Sequence, residues 1–359
     1  MFEQLLGKKN SILIGLDIGS YAIKAVLLEL HGSEYSLLHF AKELMPKGVM
    51  NDKEIQDIEA VSKVISRIRK KIPKQYKQVS VAVSGSTVIT KTVFMDANFN
   101  DDELATQIEI EADSLIPYPI EEVSIDFERV GLNLADKNKV NVLLSAARTE
   151  SVEARVSAVE LGGLTAKVMD IEAYALARAA KLCLSQLPED AESSLVAVVD
   201  IGAHMTLMSV IKGDEVVYTR DQSFGGDLYT KNIINYYNKT YEEAEQAKLN
   251  SDLPPSYTFE VLAPFQTAII QQIRRSVQMF TTSTTEEKID YLVLSGGTAL
   301  IEGLADVVVE ELGIPCVVAA PFQQMKKSEP VSTEVSDQAN SEYLIASGLA
   351  MRSFTTCHI

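Results

Sequence analysis

Apolar positions along the chain follow two periods, and their alternation predicts the elements. Residues 12–18 (ILIGLDI) are nearly all apolar up to Asp17 and read as a buried strand. Gly19-Ser20 is a turn, 22–30 (AIKAVLLEL) a second strand, and residues 35–40 a third, so the chain opens with a strand–turn–strand meander. Residues 52–71 carry Ile55, Ile58, Val61, Val64, Ile65 and Ile68 on one helical face, and 79–84 (VSVAVS) return to a strand. The plan then repeats. Residues 195–201 (LVAVVDI) form a strand, Gly202-Ala203 a turn, 205–211 (MTLMSVI) and 215–220 (EVVYTR) two further strands, and helices follow. The second half also holds 291–297 (YLVLSGG), a strand running into a glycine pair before a helix. The aspartate–glycine turns at Asp17 and Asp200 lie 183 residues apart, which marks an internal duplication of an α/β unit.

A segment of different character separates the halves. Residues 96–128 hold eleven acidic side chains and no lysine or arginine. Asn100 followed by Glu103 is spaced as a capping box before a helix bearing Leu104, Ile108 and Leu115, and Pro117 and Pro119 end that helix. Strands at about 122–130 and 139–147 and a helix at about 150–162 follow, so residues 86–166 are expected to form an inserted α+β subdomain. The first domain would then comprise residues 1–85, 167–185 and 343–359, and the second residues 186–342. Residues 321–342, with Pro321, Pro330 and many polar side chains, read as a surface loop before a last helix at about 343–353.

Composition narrows the class. The 359 residues are 46% hydrophobic and 23% charged, as in ordinary globular proteins. With 33 basic against 50 acidic residues the net charge is −17, which argues against sequence-independent nucleic-acid binding. The basic run of residues 63–77, with seven lysines and arginines and no acid, reads as a solvated face or a docking surface. Cys183, Cys316 and Cys357 are odd in number and widely spaced, and the four histidines form no zinc pattern, so a reducing cytoplasm is expected. Lys8 and Lys9 precede an apolar run that Asp17 interrupts too early for a signal peptide. No stretch approaches the length of a membrane span. Phe2, Leu5 and Leu6 are expected to pack as an edge segment.

The two turns carry the candidate chemistry. In Asp17-Ile18-Gly19-Ser20 and Asp200-Ile201-Gly202-Ala203 an aspartate ends a buried strand, where a carboxylate is costly unless paired or bound to a cation. The glycine after it lets backbone N–H groups approach a ligand. Two such turns facing each other would clamp a polyphosphate, with Asp17 and Asp200 holding Mg²⁺ through waters. Lys24, on the second strand, is placed to reach a phosphate. Gly296, Gly297 and Thr298 open a helix where a nucleoside would approach. Gly225 and Gly226 precede another helix, and Glu245 and Lys248 share a helix face at i, i+3, either bracketing a ribose and an adenine edge or forming a surface ion pair. No GxGxxG, P-loop or GxSxG motif is present.

These elements, in this order, resemble the actin-like ATPase superfamily. Residues 17–24 look like its first phosphate loop, 200–206 (with Thr206 closing the turn) like its second, 294–303 like its adenosine motif, and 170–180 and 343–351 like its two connecting helices. Residues 109–128 (EIEADSLIPYPIEEVSIDFE) and the 217–248 stretch narrow the resemblance to the PilM family of type IV pilus assembly proteins, over residues 2–354. That family is similar to the cell-division protein FtsA, which carries an insert at the same place.

The resemblance implies an actin-like fold of two duplicated α/β domains around a nucleotide cleft, with ATP (or ADP) and Mg²⁺ as cofactors. It implies a cytoplasmic adaptor on the inner face of the bacterial inner membrane, peripheral to the bilayer and working in twitching motility. The partners implied are the N-terminal cytoplasmic peptide of PilN, which pairs with PilO and through it PilP and the secretin, and the pilus motor ATPases, with a possible homo-oligomer or ring. The acidic segment 96–128 would form much of the peptide groove. Glu172 falls where chaperones of the superfamily place a glutamate that positions the attacking water, but its helix-start context equally suits a hinge or cap role. His204 and Met205 replace small polar residues of the second loop, which points to slow hydrolysis or none. The alternatives are an FtsA-like division protein, against which stands the short polar end at 352–359, and an actin-fold phosphotransferase, for which no acceptor-activating aspartate stands out.

Overall fold

The computed structural model describes residues 12–84, 88–133, 135–250, 252–284, 288–328, 331 and 340–355. The expectation for Phe2, Leu5 and Leu6, and the end of the 352–359 segment, lie outside these.

Strands β1 (Ile14–Ile18), β2 (Ala22–His31) and β3 (Glu34–Leu44) form the first antiparallel meander. A short hairpin follows, β4 (Met50–Asn51) and β5 (Glu54–Ile55), then helix α1 (Ile58–Lys71) and strand β6 (Gln78–Val83), parallel to β1. The helix expected from residue 52 thus starts at Ile58, because Asp57 caps it by accepting a hydrogen bond from the Ala60 amide at 2.9 Å. Its face Val61, Val64, Ile65 and Ile68 is buried on this sheet together with Ile14, Leu16 and Ile23.

The insert consists of β7 (Ile89–Asp96), α2 (Asp101–Leu115), β8 (Val123–Leu132) and β9 (Lys139–Arg148), with the sheet ordered β7-β9-β8 and covered by α2 through Leu104, Ile108 and Ala112. Both hydrogen bonds of the Asn100–Glu103 capping box form, at 2.9 and 3.0 Å. The helix α3 (Thr149–Leu161), expected within the insert, instead buries Ala158 and Val159 against α1 and the first sheet. The strand after it, β10 (Thr165–Ile171), runs parallel to β6 as that sheet's edge. The insert therefore ends near residue 148. Ala158 and Val159 of α3 are covered by the first domain's core and not by the insert's.

Helix α4 (Glu172–Ala180) leads to the second meander, β11 (Leu195–Ile201), β12 (Thr206–Lys212) and β13 (Glu215–Gln222). After α5 (Asp227–Tyr237), α6 (Tyr241–Asn250) and α7 (Ala263–Ser283), strand β14 (Tyr291–Ser295) adds parallel to β11. Helix α8 (Leu304–Leu312) and strand β15 (Cys316–Val318) complete a sheet ordered β13-β12-β11-β14-β15. Both large sheets thus join an antiparallel meander to parallel strands on its first strand's free side.

Residues expected in the second domain return to the first. β16 (Lys326–Lys327) pairs with β3, and Phe322, Met325 and Val331 pack with Val26, Leu28 and Leu37. An apolar cluster, Phe40, Phe322 and Tyr343, holds the segment there. The last helix, α9 (Leu344–Ala350), crosses α4 so closely that a Cβ on Gly348 would lie 1.8 Å from the Ala175 carbonyl oxygen. Leu176, Ala179, Leu344, Ile345 and Leu349 then share one core with Val196, Val198 and Val293 of the second sheet.

Candidate functional site

The ends of β1 and β11 bring the two aspartates to the cleft between the domains. Asp17 lies opposite Lys24 in the antiparallel register, and the Lys24 ammonium donates to Asp17 Oδ2 at 2.8 Å. Both side chains are largely buried. Burial alone would lower the Lys24 pKa. The Asp17 carboxylate, with Asp200 and Glu342 beyond it, outweighs this and holds it above the ordinary lysine value. Asp200 accepts a hydrogen bond from Ser295 Oγ at 2.8 Å. Its pKa is pushed up to about 6, mainly by burial, with Lys53 and Lys24 opposing the shift.

Three loops of the second domain are laced together here. The Gly226 amide donates to the Gly202 carbonyl at 2.9 Å and the Asp227 amide to the Ala203 carbonyl at 2.8 Å. Thr298 Oγ1 donates to the same Gly202 carbonyl at 3.2 Å. A Cβ at Gly225 would lie 2.4 Å from the Ala203 oxygen, and one at Gly226 2.5 Å from Thr298 Oγ1. Gly296, at φ +86°, passes against the backbone of Ile201. These glycines are required by the contact of loop on loop. Gly297 differs, since nothing lies within 4 Å of where its Cβ would be, so this corner opens outward. Thr206 points away from the turn and donates to the Phe224 carbonyl at 2.8 Å. His204 is half-exposed, 3.8 Å from the Asp227 carboxylate.

Glu245 and Lys248 form a 2.5 Å ion pair that is not a surface one, because Glu245 is buried and Lys248 also donates to Thr230 Oγ1 at 3.0 Å. Across the cleft, burial and the Glu245 carboxylate push the hydroxyl of Tyr21, the residue after Ser20, up to about 12. Lys47 of the first domain stands 3.3 Å from the ring centroid of Tyr241 and 3.4 Å from Glu242 Oε1.

Glu172, buried at the first turn of α4, forms an ion pair with Lys53 from the β4–β5 turn. A cavity at the cleft base is lined by Lys53, Ser84, Glu172, Asp200, Met205 and Leu207, and a second beside it by Asp17, Ser84, Arg155 and Glu172.

The family follows once this geometry is in place. The family model "Type IV pilus assembly protein PilM" matches residues 15–354. The chain belongs to the PilM family. Among solved structures it is similar to a PilM-PilN type IV pilus biogenesis complex, with a TM-score of 0.79 and 24% identity over 96% of this chain and 99% of that one. The ethanolamine utilization protein EutJ from Carboxydothermus hydrogenoformans superposes with a TM-score of 0.55 at 16% identity, over 94% and 89% of the two chains. Among curated relatives, FtsA of Streptococcus pneumoniae is 23% identical over 88% of this chain and 77% of its own. Escherichia coli MreB is 29% identical over 34% of this chain, so the chain spans less than half (45%) of that relative's length. The fold is therefore the actin-like ATPase fold.

The residues of the cleft fit a magnesium nucleotide. Two ammonium groups, Lys24 and Lys53, and two loop carboxylates meet at its base. Among the described residues no three His, Cys, Asp or Glu side chains stand close enough to hold a metal ion unaided. Any Mg²⁺ would thus draw ligands from the phosphates and water as well as from Asp17 and Asp200. Sequence reasoning missed Lys53, Ser84, Arg155 and Tyr21. None of these left a local signal; the Asp52-Lys53 turn lacks the glycine that usually marks such a hairpin.

Proposed function

We propose that this type IV pilus assembly protein is a nucleotide-dependent adaptor. It binds Mg·ATP between the Asp17 and Asp200 turns and holds the N-terminal cytoplasmic peptide of PilN. The carrying observation is the meeting of Asp17, Lys24, Asp200, Glu172 and Lys53 at the base of one cleft between two duplicated domains. The proposed contacts are the Asp17–Ser20 and Asp200–Ala203 turns for the phosphates and the Gly296–Thr298 corner for the nucleoside, with Glu245 and Lys248 flanking it. The pairing of Glu172 with Lys53 supports slow turnover, because a carboxylate held by an ammonium is a weak acceptor for an attacking water. Adaptor work needs a bound state that persists, and slow hydrolysis supplies one.

Among the described residues no helix is long and apolar enough to cross a membrane, so the proposed place at the inner membrane is reached through the PilN tail. The acidic insert favours a tail carrying Lys or Arg. Contacts with the motor ATPases and assembly into a ring belong to the same proposal. The test is titration of the purified protein with ATP and Mg²⁺ by calorimetry, with multiple-turnover phosphate release and binding of a labelled PilN tail peptide. Stoichiometric ATP binding, turnover well below about 1 per second and peptide binding are expected. Rapid turnover with a small-molecule acceptor, or no peptide binding, would overturn the adaptor.

A further inference from the structure

The Asp52-Lys53 turn is an unusual way to connect two strands. Asp52 and Lys53 have φ of +44° and +71°, so two consecutive non-glycine residues sit in the left-handed region. A two-residue hairpin of this kind favours Asn-Gly or Asp-Gly, and a lysine at its second position is strained. The same lysine sends its ammonium into a largely buried place, a second cost. Residues that carry two such costs cluster at functional sites.

The turn is also held from behind. The guanidinium of Arg155, itself 2% exposed, donates to the Lys53 carbonyl at 2.6 Å and to Glu54 Oε2 at 3.4 Å. Ser151 Oγ donates to the same Glu54 oxygen at 2.6 Å. Both come from α3, so a helix of the first domain fixes the position and direction of the lysine.

The ammonium is directed at the cleft's carboxylates. It pairs with Glu172 and lies within the electrostatic reach of Asp17 and Asp200. Burial alone would lower its pKa, but these three charges hold it above the ordinary lysine value. Without Lys53 the cleft base would set Asp17, Asp200 and Glu172 against the Lys24 ammonium and the Arg155 guanidinium, the latter already donating to Glu54 and to backbone carbonyls, a poor receptor for an anion. Lys24 is committed to Asp17 at the strand end. Lys53 lines the same cavity as Asp200, Ser84 and Glu172, so its ammonium faces the space next to the Asp200 turn.

We propose, on the reading of this cleft as a nucleotide site, that Lys53 is the ligand of the terminal phosphate of a bound nucleoside triphosphate. In the free protein it rests on Glu172. A terminal phosphate offers a doubly charged acceptor in place of the single charge of Glu172, and the ammonium turns to it. A diphosphate does not reach Lys53, so the residue distinguishes the two nucleotides.

The experiment measures ATP, a non-hydrolysable triphosphate analogue, and ADP binding by calorimetry with Mg²⁺, for the full chain and for Lys53→Gly, Lys53→Asn and Lys53→Arg. Glycine and asparagine suit the left-handed backbone, so the turn is kept and folding is checked by thermal melting without nucleotide. Loss of one charge-assisted hydrogen bond predicts that Lys53→Gly and Lys53→Asn bind both triphosphates about ten-fold more weakly and bind ADP within about two-fold of the original. Lys53→Arg restores most of the triphosphate affinity. Equal loss for ATP and ADP makes Lys53 a structural residue and overturns the proposal, as does unchanged or tighter triphosphate binding. If the unsubstituted chain binds neither nucleotide, the nucleotide reading itself fails, and the proposal falls with it.

Discussion

Asp17 and Lys24 close the β1–β2 turn with a 2.8 Å ion pair, both side chains largely withdrawn from water. The pair is a direct product of strand register, because a turn of this length sets residue 17 opposite residue 24. It prepays the burial of an aspartate that a strand end would otherwise expose to the core.

Removing one partner leaves the other charge buried. Asp17→Ala is expected to cost about 3–5 kcal/mol of folding stability and to abolish Mg·ATP binding. The double variant Asp17→Ala with Lys24→Met should recover part of the stability and none of the binding. Urea denaturation and calorimetry measure the two effects separately, and unchanged ATP affinity in Asp17→Ala would refute the phosphate-loop assignment.

Asp200 makes stability depend on pH. Its folded pKa of about 6 lies above the ordinary aspartate value, so the folded protein holds a proton that the unfolded chain releases. Ionised Asp200 therefore burdens the fold above about pH 6, and the burden fades as the pH falls towards about 4. Its upper size at neutral pH is about 3 kcal/mol, from the shift of the carboxyl. Asp200→Asn, which keeps an acceptor for Ser295, should stabilise the nucleotide-free protein at about pH 8 and gain little at about pH 4.5. Denaturant midpoints at both pH values decide this. A gap of the same size at each would show that ionisation is not the cause.

The crossing of α4 and α9 tolerates no added atom at Gly348. A methyl there would stand 1.8 Å from the Ala175 carbonyl oxygen, a backbone atom that cannot move without separating α4 from α9. Gly348→Ala is expected to lose about 3 kcal/mol or more, or to fail to fold. Gly297→Ala, whose Cβ meets nothing within 4 Å, should fold normally. Thermal melting of the pair is the check, and equal stability of the two would contradict the close crossing of the helices.

Lys47 spans the cleft mouth to the Tyr241 ring and holds the domains together weakly. Lys47→Ala should speed nucleotide release about two- to five-fold, as expected for one partly exposed cation–π contact. Stopped-flow displacement of a fluorescent nucleotide measures it, and an unchanged release rate would mean the contact does not restrain opening.

The duplicated meanders were legible because each begins with an apolar strand that ends in aspartate and glycine at fixed places, a pattern set by neighbours in sequence. The cap of α2 was legible for the same reason, since Asn100 and Glu103 satisfy each other's amides locally. The helix read from residue 52 was shortened by a hairpin whose Asp-Lys turn lacks the usual glycine, so nothing local announced it. The bounds of the insert and the return of β16 to the first sheet were not legible, because an apolar stripe states that it must be covered and not by what.

What the sequence by itself determined is therefore most of the elements and the two aspartate–glycine turns, both products of short-range stereochemistry and periodicity. Only the tertiary structure decided that α3 serves the first domain, that Glu245 faces Tyr21 across the cleft, and that Lys53 enters the cleft to meet Glu172. These depend on side chains brought together from distant positions: Lys53 and Glu172 stand 119 residues apart. Only the packed domains bring such groups close enough for charge and burial to act on them together.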